Sequence, residues 1–335
     1  MSRPTVSLSV PSLAPELRAR LLERLPALRA LPGVIGITLN GGLSRGFADA
    51  LSEIDVTLFL ANGVLGEWSR RGSPLPLGIS QHAGWTWDIA ALDLSEQEAR
   101  TWESDARWDG SYAEVLHDPT GRIAAMLAAQ TALPPVGTVE GPLFHCWWCF
   151  RLAGDIWVAR RDWLQGHAIL NLAVTALVRA LFAANGEHIP HEKWLMHMSR
   201  SLGWTPADWP ERLAQALSTG ALDEESLRTR QSVIEALWQE IDAEVRRRHF
   251  PELPVAVMQH TFYLLLAELV RRGSLPWAEW EALGGAGLMK MDPFQPLLHV
   301  DEAGIALDRE RFLSLSPNDL YAWHYAVVEA ARGLL

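Results

Sequence analysis

The stretch Ile37–Leu60, ITLNGGLSRGFADALSEIDVTLFL, constrains this chain more than any other. An apolar run ends at Gly41-Gly42, a short polar segment follows, and a second apolar run carries Glu53 and Asp55 one residue apart. Residues i and i+2 of a β-strand share a face. Glu53 and Asp55 therefore project together, while Ile54 and Val56 turn into a core. Two acids side by side repel each other unless a cation lies between them. Paired carboxylates near a glycine-rich turn are what a Mg²⁺-nucleotide site needs.

The flanking sequence supplies the frame. Leucines at helical spacing predict a helix over 13–31 with Ser12 as N-cap. Val34–Asn40 reads as a strand, Gly41-Gly42 as the turn, Leu43–Leu51 as a short helix and Glu53–Ala61 as the second strand. A further strand is expected near Leu77–Ser80, and a long one over Gly84–Leu94 with Asp88 near its middle. Ser95 with Glu98 three residues on predicts a capped helix start. Ala113–Gly121 reads as a short strand entering a turn, and Thr120–Gln130 as a helix. From about residue 140 the period is helical, with candidates at 141–164, 166–186, 206–218, 222–248, 255–272 and 316–335. Residues 286–313 fit a hairpin or a loop. The expectation is an α+β chain: a small mixed sheet with flanking helices over 1–137, then an all-helical bundle over 138–335, with the site in the cleft between them.

Bulk composition narrows the function classes. The chain has 335 residues, 49% apolar and 21% charged, enough to bury a large core. A formal net charge of −11 argues against a nucleic-acid partner and suits a cationic small substrate. Two cysteines do not make a disulfide-rich secreted domain. The N-terminus lacks a signal-peptide core, and no uninterrupted apolar run looks long enough to span a bilayer. The expected location is cytoplasmic, with no membrane partner.

Spacing places the chemistry. Between Gly41-Gly42 and Glu53 there is room for a turn, a short helix and a return to the sheet. Backbone N–H groups at the helix start would then lie beside the two acids and attract phosphate. Gly42 permits close approach, Ser44 adds a hydroxyl and Arg45 a charge-assisted fork. Mg²⁺ would bridge the phosphates to Glu53 and Asp55. Asp88, on a neighbouring strand, is the candidate third acid, as general base or as ligand to a second metal. Asp93 competes for that role, but its odd offset from Asp88 puts it on the other face of a regular strand.

The run Gly41-Gly-Leu-Ser-Arg-Gly46 followed by Ser52-Glu-Ile-Asp-Val56 resembles the nucleotidyltransferase superfamily of DNA polymerase β. Within it, the chain is most similar to aminoglycoside- and lincosamide-type enzymes, in which a helical domain follows the catalytic one. Val115–Ile123 and Leu181–Trp194 are also similar. The resemblance implies Mg²⁺-dependent transfer of a nucleoside monophosphate, AMP from ATP being the first choice, to a hydroxyl of a small molecule, with pyrophosphate released. It assigns Glu53, Asp55 and Asp88 to metal and catalysis, and Gly41, Gly42, Ser44 and Arg45 to the triphosphate. Gly42 stands where serine is commoner, and Glu53 where aspartate is. An aminoglycoside-like cation is a candidate acceptor. The alternatives are AMP transfer to a protein side chain and an inactive nucleotide- or partner-binding module.

Other features have two readings each. Lys193 reads either as a second triphosphate contact from the helical half or as an ordinary helix-start lysine. Arg151, Arg160 and Arg161 fit an exposed helix face. Cys146 and Cys149, with His145, His188 and His191 in reach by sequence, have a zinc-like spacing but sit in an apolar stretch where cysteines are simply buried. Trp85, Trp87, Trp102 and Trp108 are core or stacking residues. Glu103, Asp105 and Asp109 are either a solvated helix face or contacts to a cationic acceptor.

Overall fold

The computed structural model describes residues 3–132, 139–249, 265, 268–286 and 295–314. The chain divides into two compact units, Met1–Leu133 with His188–Gly203, and Pro134–Glu187 with Trp204–Leu335.

The first unit is built on five strands: β1 (Val34–Leu39), β2 (Ile54–Leu60), β3 (Gly78–His82), β4 (Trp85–Asp93) and β5 (Glu114–His117). They are ordered β3-β4-β2-β1-β5. The β2–β4 pair is parallel; β1–β2, β1–β5 and β3–β4 are antiparallel. This is the expected small mixed sheet.

Helix α1 (Ala14–Arg29) lays Leu17, Leu21, Leu25 and Leu28 on one face of the sheet. There they meet Ile37 and Leu39 of β1, Ile54, Val56 and Leu58 of β2, and Trp87 and Ile89 of β4. Each buried leucine contributes about 2 kcal/mol. Leu13, rather than Ser12, holds the N-cap position. Ser12 Oγ still accepts from Ala14 N at 3.3 Å. On the opposite face Phe59 packs with Leu94, Trp102, Ile123, Met126 and Leu127. The face that leads from this second core to the strand end carries Asp55, Thr57 and Phe59.

Two local expectations are corrected. The helix expected over Leu43–Leu51 is a single turn, α2 (Gly41–Ser44). Gly46, at φ +80°, takes the chain out of helical geometry. The helix after β4 starts two residues early, α4 (Leu94–Ala99), and its cap is Asp93 rather than Ser95. Asp93 Oδ1 accepts from Ser95 N and Glu96 N at 2.9 and 3.2 Å, which occupies a buried carboxylate structurally.

Residues 188–203 join the first unit rather than the helical one. Long-range hydrogen bonds tie them there. His188 Nε2 lies 3.0 Å from Thr131 O, Thr5 N donates to Ser201 Oγ at 2.9 Å, and Ser7 N donates to His197 Nε2 at 3.1 Å. A single cut near residue 137 misses this return of the chain. Helix α10 (Glu192–Met198) lies in the returning segment.

The second unit is mainly helical over residues 140–187 and 204–249 and adds a small sheet beyond. Helices α7 (Glu140–Trp147) and α8 (Gly154–Arg160) run through a π-helical turn, Trp148–Ala153. Gln231 Nε2 donates to Phe150 O at 2.8 Å and to Asp155 Oδ1 at 3.1 Å, a side chain inserted where the helical ladder is disturbed. Helix α9 (Trp163–Ala184) is the core of this unit. By length and composition it could cross a membrane, but 67% of its apolar window is buried. Helices α11 (Trp209–Leu217) and α12 (Glu224–His249) pack beside it. Buried Arg230 binds them together, donating to Ala216 O and Asn171 Oδ1, each at 2.8 Å.

The second half is not wholly helical. Strands β6 (Ser274–Pro276), β7 (Leu298–Val300) and β8 (Gly304–Leu307) form an antiparallel sheet in the order β6-β8-β7. The region left open between hairpin and loop is therefore a hairpin over 298–307. The expected helix at 316–335, and most of that at 255–272, lie outside the described residues.

Candidate functional site

Strand pairing brings the acids together. Asp55 and Asp88 are register partners in the parallel β2–β4 pair, so their side chains leave the same face of the sheet. Glu53 lies just before β2. One carboxylate oxygen from each of Glu53, Asp55 and Asp88 lies within 4.8 Å of the others. They are the only such group of potential metal ligands among the described residues.

The arrangement is electrostatically costly without a cation. Burial pushes the Asp55 carboxyl up to about 7, and the charges of Glu53, Asp88 and Asp109 add to the effect. Arg45 acts in the opposite sense. Three converging carboxylate oxygens are the donor set of a hard divalent cation such as Mg²⁺ or Mn²⁺. The residues therefore fit the metal that the sequence pattern implies.

The glycine turn abuts the acids. Gly41 has φ +65°, and a Cβ built on it would lie 1.9 Å from Asp55 Oδ2. No side chain fits there while Asp55 keeps its position. Asn40, before the turn, donates from Nδ2 to Thr57 Oγ1 at 2.6 Å, tying the turn to β2.

A cavity of about 720 Å³ opens over this constellation. Gly41, Gly42, Arg45, Glu53, Asp55, Asp88 and Lys193 all line it. Of the residues expected to hold the metal or the triphosphate, Ser44 alone is absent from the lining. Its hydroxyl donates to Gly41 O at 3.0 Å, so it braces the turn. Every lining residue belongs to the first unit.

Arg45 is placed differently from the free phosphate fork expected. Its side chain is 5% exposed, and Nη1 lies 2.6 Å from Asp109 Oδ1. The guanidinium sits 4.5 Å from the centroid of the Trp108 ring. Its Nε is buried without a partner. Lys193 is exposed at the cavity wall with Nζ 5.9 Å from the Trp194 ring centroid.

Several cavity residues had no signal linking them to the acids. Phe47, Asp49, His191, Glu192 and Trp194 line the cavity. The ring of Phe47 meets that of Trp194 edge-on at 5.9 Å. His191 Nδ1 lies 3.3 Å from Asp105 Oδ2. Nothing in the spacing between residues 53 and 191 foretells this approach, because the return of 188–203 to the first unit creates it.

The zinc reading of the cysteines finds no support. Cys146 is buried, and burial and Cys149 push its thiol well up. Burial also raises Cys149, whose Sγ lies 3.7 Å from His145 Nε2. Such thiols stay protonated and inert. Trp87, Trp102 and Trp108 are buried in the first unit, and Trp85 is partly buried.

No protein-family profile matches the chain, and no curated protein matches it. Among solved structures, a nucleotidyltransferase-like protein from Exiguobacterium sibiricum 255-15 is similar over 85% of this chain and 93% of its own, at 12% identity and a TM-score of 0.40. At that TM-score the likeness carries no argument, and the weight falls on the carboxylates, the glycine turn and the cavity.

Proposed function

We propose that this chain is a divalent-metal-dependent nucleotidyltransferase that moves a nucleoside monophosphate, AMP from ATP in the first instance, to a hydroxyl of a small molecule. The observation that carries the reading is the convergence of Glu53, Asp55 and Asp88 beside Gly41 in one cavity.

Glu53, Asp55 and Asp88 would hold Mg²⁺. When bound, the metal neutralises charge on the phosphates and on the leaving pyrophosphate. The chain's own residues supply the rest. Gly41 and Gly42 leave the turn backbone open to a phosphate oxygen. Lys193 offers a point charge from the cavity wall. Arg45, held by Asp109, contributes fixed positive charge beside Asp55. Catalysis of this kind is positioning and charge neutralisation rather than covalent chemistry on the protein.

The first unit is assigned the chemistry. The helical unit is assigned to acceptor recognition, as the family resemblance implies. The net charge of −11 favours a small, cationic acceptor, an aminoglycoside-like molecule among them, over nucleic acid. A cytoplasmic location, where ATP is supplied, fits a nucleotide-using enzyme.

The experiment is Mg²⁺-dependent pyrophosphate release from ATP across a panel of aminoglycosides and lincosamides, with Asp55→Asn as control. Release with the wild type and its loss in Asp55→Asn support the reading. Undiminished release in Asp55→Asn removes the metal assignment, and label from ATP on protein redirects the acceptor to a side chain.

A further inference from the structure

We propose that Phe47 and Trp194 form an aromatic ledge that stacks the nucleobase of the nucleoside triphosphate, and that the ledge reads the breadth of the ring rather than its hydrogen-bonding edge. The inference rests on the nucleotidyl-transfer reading and goes beyond it by naming the subsite that holds the base.

The ledge is joined to the glycine turn by direct contacts. Phe47 N donates to Gly42 O at 2.9 Å. Cδ1 of its ring lies 3.4 Å from where a Cβ on Gly42 would stand. Gly42 follows Gly41, whose own Cβ position is 1.9 Å from Asp55 Oδ2. The Phe47 ring therefore borders the turn, and the turn borders an acid assigned to the metal. Trp194 meets Phe47 edge-on, with centroids 5.9 Å apart at 70°. That is a favourable T-shaped separation, so each ring holds the other in place.

Both rings are partly exposed, and both line the cavity. Two further apolar side chains share that lining, Leu8 at 42% exposure and Leu51 at 94%. Exposed apolar surface inside a cavity otherwise rich in carboxylates marks a place where a ligand brings apolar surface of its own. The nucleotide fits, because it joins phosphates to a flat π ring in one molecule. An aminoglycoside-like acceptor has no π ring to stack. Lys193, next to Trp194 in the chain, lines the same cavity with Nζ 5.9 Å from the indole centroid. A point charge for phosphate and a ring for the base thus come from consecutive residues at the start of α10.

What the ledge lacks sets its specificity. Phe47 has no polar atom on its side chain, and Nε1 of Trp194 is buried. The indole therefore presents carbon to the cavity and no donor. Stacking on carbon tolerates any base, since every base has a π-face. A two-ring purine covers more of that surface than a pyrimidine. Purine triphosphates are expected to bind better than pyrimidine ones, with adenine and guanine nearly equal.

The test is calorimetric titration in Mn²⁺ with the α,β-methylene analogues of ATP, GTP and CTP, which cannot release pyrophosphate, and with inorganic triphosphate, which has no base. Trp194→Leu is expected to weaken the ATP and GTP analogues about tenfold or more and to leave inorganic triphosphate and Mn²⁺ affinity unchanged. Trp194→Phe, which restores a π-face, is expected to recover most of the loss. Phe47→Leu, which keeps the bulk and removes the ring, is expected to act in the same direction as Trp194→Leu and serves if that variant does not fold. Analogue binding that Asp55→Asn abolishes but both leucine variants leave untouched overturns this inference alone. An equal loss for the analogues and for inorganic triphosphate makes the rings structural and overturns it too. A gap of more than about tenfold between the ATP and GTP analogues overturns the edge-blind specificity. No Mn²⁺-dependent binding of any of these ligands by the wild type overturns the transfer reading and this one with it.

Discussion

Asp55 Oδ2 packs against the α-carbon of Gly41 so closely that a Cβ there would lie 1.9 Å away. The turn and the metal-facing acid are therefore one packing unit. Gly41→Ala is expected to cost about 1–2 kcal/mol from the left-handed backbone alone. It is also expected to displace Asp55 and weaken Mn²⁺ binding about tenfold or more, one factor of ten being about 1.4 kcal/mol. Thermal unfolding with and without Mn²⁺ separates the two effects.

The raised Asp55 carboxyl predicts how metal binding varies with pH. Below about 7 the folded protein keeps a proton on Asp55 that a metal must displace. Affinity for Mn²⁺ is expected to rise with pH up to that value and level off above it. Calorimetric titration at several pH values reads this directly, and a flat profile contradicts it.

The same shift governs stability of the metal-free protein. Its sign is that of an acid whose folded value is raised. The folded state keeps the proton where the unfolded chain has lost it, so this contribution is present below about 3.8 and is lost as pH rises through about 7. Asp55→Asn removes the burial and repulsion of that charge. Above pH 7 it is expected to stabilise the metal-free fold by on the order of 2 kcal/mol while abolishing the Mn²⁺-induced rise in Tm.

Arg45 is expected to act on the acids through its field and its packing. Arg45→Gln removes the one cation that lowers Asp55 and leaves Asp109 without its 2.6 Å partner. The pH midpoint of Mn²⁺ binding is expected to move upward. Stability is expected to fall by about 1–2 kcal/mol, less than for a fully buried pair because Asp109 is 38% exposed. An unchanged midpoint would show that the guanidinium charge does not reach the metal site.

In the helical unit, Gln231→Leu is expected to cost about 1–3 kcal/mol. It leaves Phe150 O without its 2.8 Å donor at the π-helical turn. Denaturant unfolding measures the loss, while Mn²⁺ binding by the acids is expected to be unchanged.

The parts of the site that were legible in the sequence are local in the sheet. Alternation put Asp55 opposite Ile54 and Val56 and set Asp93 opposite Asp88, and the structure has them so, with Glu53 just before β2. The limits of α2 were not legible, because Gly46 rather than the apolar pattern ends it. Ser44 and Arg45 were read as ligands from residue type alone. A local bond within the turn took the Ser44 hydroxyl to Gly41 O, and tertiary partners drew the guanidinium onto Asp109 and Trp108. The hairpin at 298–307 was ambiguous because a short apolar run has no decisive period. Its strands close through Asp301, whose Oδ1 accepts from Ala303 N and Gly304 N at 2.7 and 3.0 Å.

By itself the sequence determined the strand-turn-strand around Gly41-Gly42 and the opposite faces of Asp55 and its neighbours Ile54 and Val56; the pairing of β2 with β4, which sets Asp55 beside Asp88, is tertiary. Backbone periodicity and the steric freedom of glycine are properties of a few consecutive residues. Only the tertiary structure decided what surrounds the acids. It returned residues 188–203 to the first unit, set His191 and Lys193 on the wall of the cavity, and drew Arg45 into a pair with Asp109. Those placements depend on hydrogen bonds and packing between residues far apart in the chain, such as Thr5 with Ser201 and His188 with Thr131, and no local pattern encodes them.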